Sequence, residues 1–387
     1  MLQAMEKNPT FETGPIRPPS EAKSLLLRAT RNCPWNRCAF CHTYRGERFS
    51  LRTVDEIKSD IDSMKAISDG IRKVSFGMGR GGAIDRAVAS RAAVELGDGE
   101  CVRQVAFWML NGLETAFLQD ANSLIMKPAD LAGVLRYLRL SFPSIKRVTS
   151  YARSHTLARR TVEELVMLKD AGLNRIHIGM ESGSDAVLEL VEKGVTHDGH
   201  VKAGRVVKEA GIELSEYVMP GLGGRALSRD HALETARALN EINPDFIRLR
   251  TLAVPPGTKL KELEDSGKFE RLDEDAVVSE LRLFIGSLEG INSVVASDHV
   301  LNLLEGVEGR LPDDKPAMLE VTDSYMALPE RDRLIFRFGR RAGYLHETSD
   351  LQNDAIVTEL WRYMEAHGLT TGAALDRWTM ELAERFI

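Results

Sequence analysis

Six short apolar runs punctuate the first two thirds of the chain, and their spacing limits the possible folds more than any other feature. They lie at 25–29, 115–118, 147–151, 175–179, 214–219 and 246–252. Such runs read as strands buried on both faces of a parallel sheet. Four of the five gaps between successive starts measure 28–39 residues, which is room for a strand, a helix and two short loops. Helix-start signals fall in the gaps: Thr53 with Glu56, Pro128, Thr161 with Glu164, and Ser228. Six repeated βα units with right-handed crossovers and helices on one side give an α/β fold, a partial (β/α)6 barrel of TIM type. A doubly wound open sheet, with helices on both faces, is the competing arrangement.

The first gap is longer than the rest, so 74–111 reads as an insertion with helices at 83–95 and 102–110. Its start, Gly77, Gly79 and Gly82, has the spacing of a dinucleotide-binding loop. That motif also needs a strand ending in an acidic residue about 20 positions on, and 94–99 is a helix end and turn instead. After Pro255-Pro256-Gly257 the strand signal stops, and 274–387 reads as helices. The expected organisation is an N-terminal extension at 1–23, the barrel at 24–260 and a helical C-terminal region at 261–387.

With 43% apolar and 28% charged residues, the chain has an ordinary globular balance, which excludes general disorder. Its 57 acidic and 51 basic residues are intermixed to a net charge of -6, so no basic face is expected and nucleic acid is not indicated. No run approaches the roughly 20 apolar residues that span a bilayer, and 1–19 is polar and contains prolines, unlike a secretory signal. No membrane association and a cytoplasmic location are therefore expected.

Three of the four cysteines, Cys33, Cys38 and Cys41, lie within nine residues directly after the first strand. In barrels, loops at that end of the strands build active sites. Crowded cysteines in a reducing compartment read as metal ligands rather than disulfides. Three thiolates can each take one iron of a cubane and leave the fourth iron without a protein ligand. A zinc site with His42 as the fourth ligand competes for the same residues, although adjacent Cys41 and His42 would reach one tetrahedral metal awkwardly. Cys101 stands apart and reads as a small buried or helix-start residue.

The loop Cys33-x4-Cys38-x2-Cys41, with Phe40 just before the last cysteine, resembles the cluster loop of the radical S-adenosylmethionine (radical SAM) superfamily. The usual spacing there, C-x3-C-x2-C, is one residue shorter. The stretch Arg175-Ile176-His177-Ile178-Gly179-Met180-Glu181-Ser182-Gly183-Ser184 resembles the fourth-strand motif of the branch that contains tRNA methylthiotransferases and oxygen-independent coproporphyrinogen oxidase. Phe246-Ile247-Arg248-Leu249-Arg250 with Pro256-Gly257-Thr258 resembles that branch's sixth strand and following turn.

The resemblance implies a 4Fe-4S cluster on the three cysteines, with S-adenosylmethionine chelated to the open iron. It also implies an external electron donor such as flavodoxin or ferredoxin. The expected activity is reductive cleavage of S-adenosylmethionine to a 5'-deoxyadenosyl radical that takes hydrogen from an unidentified substrate. A cobalamin domain is not expected, since only 32 residues precede Cys33. Where the family often carries Gly-Gly-Glu after the second strand, this chain has Gln119-Asp120-Ala121-Asn122. Asp120 and Asn122 are accordingly candidate cofactor contacts, or ordinary turn formers. Tyr151 and Arg153 alternate onto one face of the third strand, and the cation suits the methionine carboxylate or a surface ion pair. Glu181 and Ser182 match the ribose-contacting position, with helix capping as the other reading. Glu216, ahead of the turn Pro220-Gly221-Leu222-Gly223-Gly224, completes the set. A different class of function, a non-catalytic iron-sulfur or zinc protein that senses redox state or binds a partner, would use the same cysteines.

Overall fold

The computed structural model describes residues 9–97 and 99–383. An eight-stranded sheet runs through it in the order β1 (Leu25–Arg28), β2 (Thr115–Gln119), β3 (Arg147–Ala152), β4 (Arg175–Glu181), β5 (Glu213–Val218), β6 (Phe246–Leu249), β7 (Val294–Ala296) and β8 (Gly309–Arg310). Spatial order equals chain order throughout. A doubly wound sheet reverses direction at its switch point, so the sequential order excludes it and leaves the barrel-type winding. The pairs β1/β2, β2/β3, β5/β6 and β6/β7 are parallel, and β8 runs antiparallel to β7. β7 and β8 lie where a purely helical region was expected. They are too short to show a period of their own, and Phe246 pairing with Val294 makes the first of them an extension of the sheet.

The described chain divides into two compact units: Met1–Pro34, Gly46–His177 and Val206–Glu213, and Trp35–Arg45, Ile178–Arg205 and Leu214–Ile387. In the first, α1 (Val54–Gly77) opens on Thr53, whose side chain and that of Glu56 form a reciprocal capping box. Its Ile57, Ile61, Met64, Ile67, Ile71 and Val74 recur at helical spacing and are buried. The same periodicity carries the helix through to Gly77, so no strand precedes the glycine-rich turn. The insertion forms α2 (Arg86–Leu96) and α3 (Glu100–Leu110). Trp108 ties α3 to the sheet, donating from Nε1 to the Thr115 carbonyl at 2.9 Å. α4 (Pro128–Ser141) packs on α1, and α5 (Val162–Asp170) packs on α4.

At the opening of the strands, Glu21 is wholly buried. It accepts from Ser24 Oγ (2.6 Å) and Thr149 Oγ1 (2.9 Å), with Arg147 at 3.3 Å and His177 at 3.8 Å. Burial alone would raise its carboxyl, but His177, Ser24 and Arg147 hold it below the usual range. This partnered carboxylate sits at the end of the strands where stability, rather than chemistry, is usually built.

The second unit contains α6 (Asp185–Leu190), α8 (Gly224–Ile242), α9 (Lys259–Asp265), α10 (Glu274–Gly286), α11 (Lys315–Ala327), α12 (Glu330–Ala342), α13 (Asp354–Ala366) and α14 (Gly372–Ala383), while α7 (His197–Glu209) begins in it. α8 starts ahead of Ser228, at Gly224. The C-terminal helices are fastened by partly buried charge. Glu274 accepts from Arg337 (Nε, 2.8 Å) and from Arg341, and Asp275 accepts from Arg333 (3.0 Å) and from the Tyr325 hydroxyl (2.6 Å). Burial would raise Glu274, and the two guanidinium groups outweigh it and hold the carboxyl low.

Candidate active site

The cysteine loop is irregular between the two-residue strands Thr30–Arg31 and Ser50–Leu51, which pair antiparallel. Cys33, Cys38 and Cys41 form no disulfide, and each is partly exposed. The C-x2-C half is held through its backbone. Ala39 N–H donates to the Val191 carbonyl at the end of α6 (2.8 Å), Leu260 N–H in the first turn of α9 donates to the Ala39 carbonyl (2.9 Å), and Cys41 N–H reaches the Cys38 carbonyl (3.1 Å). Ala39 lies in a buried cluster with Val187, Val191, Leu222, Leu252, Val254, Leu260 and Phe269, and Phe40 packs against it. Trp35 Nε1 donates to the Glu192 carbonyl at 2.7 Å. Apolar packing and backbone bonds therefore present Cys38 and Cys41.

The Cys33 end is held by charge instead. Asn32 N–H donates to Asp120 Oδ2 (2.9 Å), and Arg28 Nε donates to the same oxygen (2.7 Å). Arg28 and Arg31 also grip Glu12, with Arg52 3.5 Å from it. Burial pushes Glu12 up, but Arg31, Arg52 and Arg28 bring it below the usual carboxylate range.

Asp120 directly follows β2, is completely buried and takes a left-handed φ of 73°. Asn122, also buried, accepts from Arg153 N–H (3.1 Å) and donates to Thr156 Oγ1 (2.8 Å), so it fastens the turn after β3. Tyr151 continues a row of rings, 5.5 Å from Phe117 and 5.4 Å from His177.

Glu181 ends β4 at φ 65°, and its Oε1 meets Lys193 Nζ at 3.0 Å. The same ammonium lies 5.7 Å from the Phe40 ring centroid, a cation–π distance. Ser182 is buried and engaged by His231 Nδ1 (2.8 Å) and Ser184 N–H (3.1 Å). A Cβ on Gly183 would sit 2.4 Å from the Glu234 carbonyl oxygen, so the glycine lets α8 approach the turn. Ser184 caps α6 from its side chain. The Ser-Gly-Ser part of the motif is thus occupied with bracing, and Glu181 is the member placed beside a cation.

Glu216 is fully buried, and neither carboxyl oxygen has a hydrogen-bond partner among the described residues. Its register beside Ile247, one step from the Tyr217–Arg248 pair, puts it on the apolar face of the sheet. Burial pushes its carboxyl well above the ordinary range; the charge of Glu181 adds to this and Lys193 opposes it.

The structure joins Asp120 to the residue before Cys33, Asn122 to Arg153, and Glu181 to Lys193. Among the described residues, no three His, Cys, Asp or Glu side chains converge as ligands of a single metal ion. A cubane does not ask for that convergence, because each thiolate takes its own iron. Lys193, Arg28 and Asn32 went unnoticed in the sequence. The only local hint for Lys193 is Gly194 beside it, marking a turn after α6. Cys101, in the first turn of α3, has its Sγ 3.5 Å from both the amide nitrogen and the carbonyl oxygen of Phe11.

A three-thiol loop directly after the first strand of a sequential parallel sheet makes this an α/β protein with the donors a cluster would need. The sequence profile of the radical SAM superfamily matches residues 27–239, more than half of the chain, and the chain belongs to that superfamily. Its members use a 4Fe-4S cluster and S-adenosylmethionine, and generally need an external electron donor. Three cysteines in one loop, none in a disulfide, are a donor set that fits the cluster.

Curated relatives include 3-methylornithine synthase of Methanosarcina barkeri, 28% identical over 189 residues, 46% of this chain and 50% of that one. Another is the tRNA uridine(34) acetyltransferase of Methanocaldococcus infernus, 25% identical over 117 residues, 30% of this chain and 22% of that one. The chain spans between 22% and 50% of the length of the curated relatives it matches. Among solved structures, methylornithine synthase aligns with 72% of this chain and 66% of its own at 14% identity and a TM-score of 0.43. Among the described residues, no helix is long and apolar enough to cross a membrane.

Proposed function

We propose that this protein is a radical SAM enzyme in which Cys33, Cys38 and Cys41 hold three irons of a 4Fe-4S cluster and leave the fourth for S-adenosylmethionine. The observation that carries the reading is the set of three cysteines, none in a disulfide, in one loop after β1, inside the region that matches the family. When bound, the cluster and S-adenosylmethionine supply one-electron cleavage of the sulfonium bond, yielding methionine and a 5'-deoxyadenosyl radical that takes hydrogen from substrate.

The chain's own residues bind and orient. Glu181, in a strained backbone conformation at the end of β4, is assigned to the ribose hydroxyls, and Lys193 holds its carboxylate in place until they bind. Arg153 is assigned to the methionine carboxylate, with Asn122 fixing its backbone and Tyr151 forming the wall below. Ser182 keeps the Glu181 turn rigid through His231. Glu216, its carboxyl pushed up by burial, shapes the strand under Glu181. The electron donor is an external flavodoxin or ferredoxin, and the setting is a reducing, cytoplasmic one. The test is anaerobic reconstitution followed by reduction with dithionite in the presence of S-adenosylmethionine. Slow formation of 5'-deoxyadenosine and methionine is expected, whereas formation of S-adenosylhomocysteine or methylthioadenosine alone would overturn the reading.

A further inference from the structure

We propose that Asp120 is a positioning residue for the cluster loop, fixing through Asn32 and Arg28 the backbone turn that presents Cys33, and that it does not serve as the acceptor for the methionine amino group. The inference rests on the assignment of Cys33 as a cluster ligand.

Three features of Asp120 carry it. Its Oδ2 is shared by two donors, Arg28 Nε at 2.7 Å and Asn32 N–H at 2.9 Å. Arg28 closes the ring by donating from Nη2 to Asn32 Oδ1 at 3.1 Å, so the carboxylate, the guanidinium and the residue before Cys33 form one bonded triangle. The remaining oxygen, Oδ1, faces Gly14, where a Cβ would sit 2.4 Å away. The segment around Gly14 is held against the end of β2 by Gln119. This buried side chain accepts from Gly14 N–H (2.9 Å) and donates to the carbonyls of Gly14 (2.9 Å) and Ile16 (3.1 Å). Oδ1 is therefore covered by the N-terminal strap.

The triangle has a conformational purpose. Asn32 is left-handed, with φ 66°, a conformation that is disfavoured for most residues and that Asn adopts more readily. Its side chain also donates from Nδ2 to the Arg48 carbonyl at 2.8 Å, bridging the two ends of the loop. Cys33 is the next residue, so the direction in which its thiol leaves the sheet is set by the Asn32 backbone. The Asp120 triangle therefore restrains the backbone immediately ahead of Cys33, at the point where the loop leaves the first strand. Groups that orient metal ligands commonly alter metal affinity 10- to 100-fold when removed.

The experiment uses the full chain, reconstituted anaerobically and studied without S-adenosylmethionine. Iron release to a ferrous chelator and the electron paramagnetic resonance spectrum of the reduced cluster are recorded for Asp120→Ala and Asp120→Asn. Asp120→Ala is expected to release iron roughly tenfold faster than the parent, with an altered spectrum. Asp120→Asn, whose amide oxygen still accepts from Asn32, should fall between the two. Parent-like release and an unaltered spectrum in Asp120→Ala, with only cofactor binding weakened, would overturn the proposal and return Asp120 to the cofactor. If the alanine variant does not fold, Asp120→Asn decides alone, with faster release supporting the role and parent-like release refuting it. Cys33→Ala serves as the control. Full iron in that variant would sink the cluster assignment itself, whereas iron loss there with parent-like Asp120 variants sinks only the positioning role.

Discussion

The two ends of the cysteine loop are secured by opposite kinds of physics. At the Cys33 end, the buried Asp120 and half-buried Glu12 carboxylates meet guanidinium groups and a backbone N–H donor, a geometry specified by direction and charge. At the Cys38–Cys41 end, Ala39 is sunk in an apolar cluster and its backbone bonds to the end of α6 and the start of α9. Charge networks fix orientation but lose badly when one partner is removed, because the other is left buried and uncompensated. Apolar clusters tolerate exchange of one hydrophobe for another of similar volume and fail when volume changes. A loop held in both ways has its two ends sensitive to different substitutions.

The largest effect should come from the thiols, which belong to both ends. Cys33→Ala, Cys38→Ala and Cys41→Ala should each reduce reconstituted iron from about four per chain to below about one. Full iron in any of them, by colorimetric assay, would break the comparison at its root. Next comes Glu181→Ala, which should keep its iron. Loss of a charged acceptor is worth about 1.5–3 kcal/mol, hence a roughly tenfold to hundredfold weaker titration of S-adenosylmethionine. Normal affinity would remove Glu181 from the cofactor site.

Ala39→Leu tests the apolar end by volume. Overpacking should cost about 1–3 kcal/mol and lower the melting temperature of the metal-free protein. An unshifted melting curve would show that the cluster around Ala39 is loose.

Glu216 sharpens the contrast, since it is a buried acid with no hydrogen-bonded cation among the described residues, unlike Asp120 and Glu21. Burial raises its folded-state pKa, so the folded chain binds this proton more tightly than the unfolded one. Its contribution to stability is complete below the ordinary carboxylate range and is lost as pH rises towards the raised value. Glu216→Gln should therefore gain on the parent in melting temperature at pH 8 more than at pH 5, and equal gains at both would contradict the burial argument. The smallest effect belongs to Cys101→Ala, which loses a weak sulfur contact with Phe11 worth under about 1 kcal/mol. It should keep full iron, and a loss of iron would tie Cys101 to the cluster.

Much of the fold was legible because its strands are buried on both faces and so stand out as apolar runs. Each of the six expected strands starts within one residue of its observed start. Val294–Ala296 was invisible, since three residues show no period and only pairing with Phe246–Arg248 makes them a strand. The extension of α1 to Gly77 was hidden by the glycines that follow it.

In the candidate site, the cysteines and Glu181 are proposed from spacing and motif. The partners of Asp120 could not be found that way: Arg28 and Asn32 are 92 and 88 residues away in sequence. The bracing roles of Asn122 and Ser182 were likewise obscured, because capping and turn residues have the same composition as ligand contacts.

The Glu274 ion pairs also bear on the order in which the chain is finished. Glu274 begins α10, yet Arg337 and Arg341 lie 63 and 67 residues later. At about 5–20 residues per second, a ribosome leaves this acid without either counter-ion for roughly 3–13 seconds. A carboxylate cannot be buried unpaired at acceptable cost, so α10 has to wait, and its apolar face waits with it. Ribosome-arrested chains released from the exit tunnel up to residue 330 should therefore be cut by protease within 274–286, and chains released to the last residue should resist. Equal protection in both would mean that α10 docks before its arginines exist.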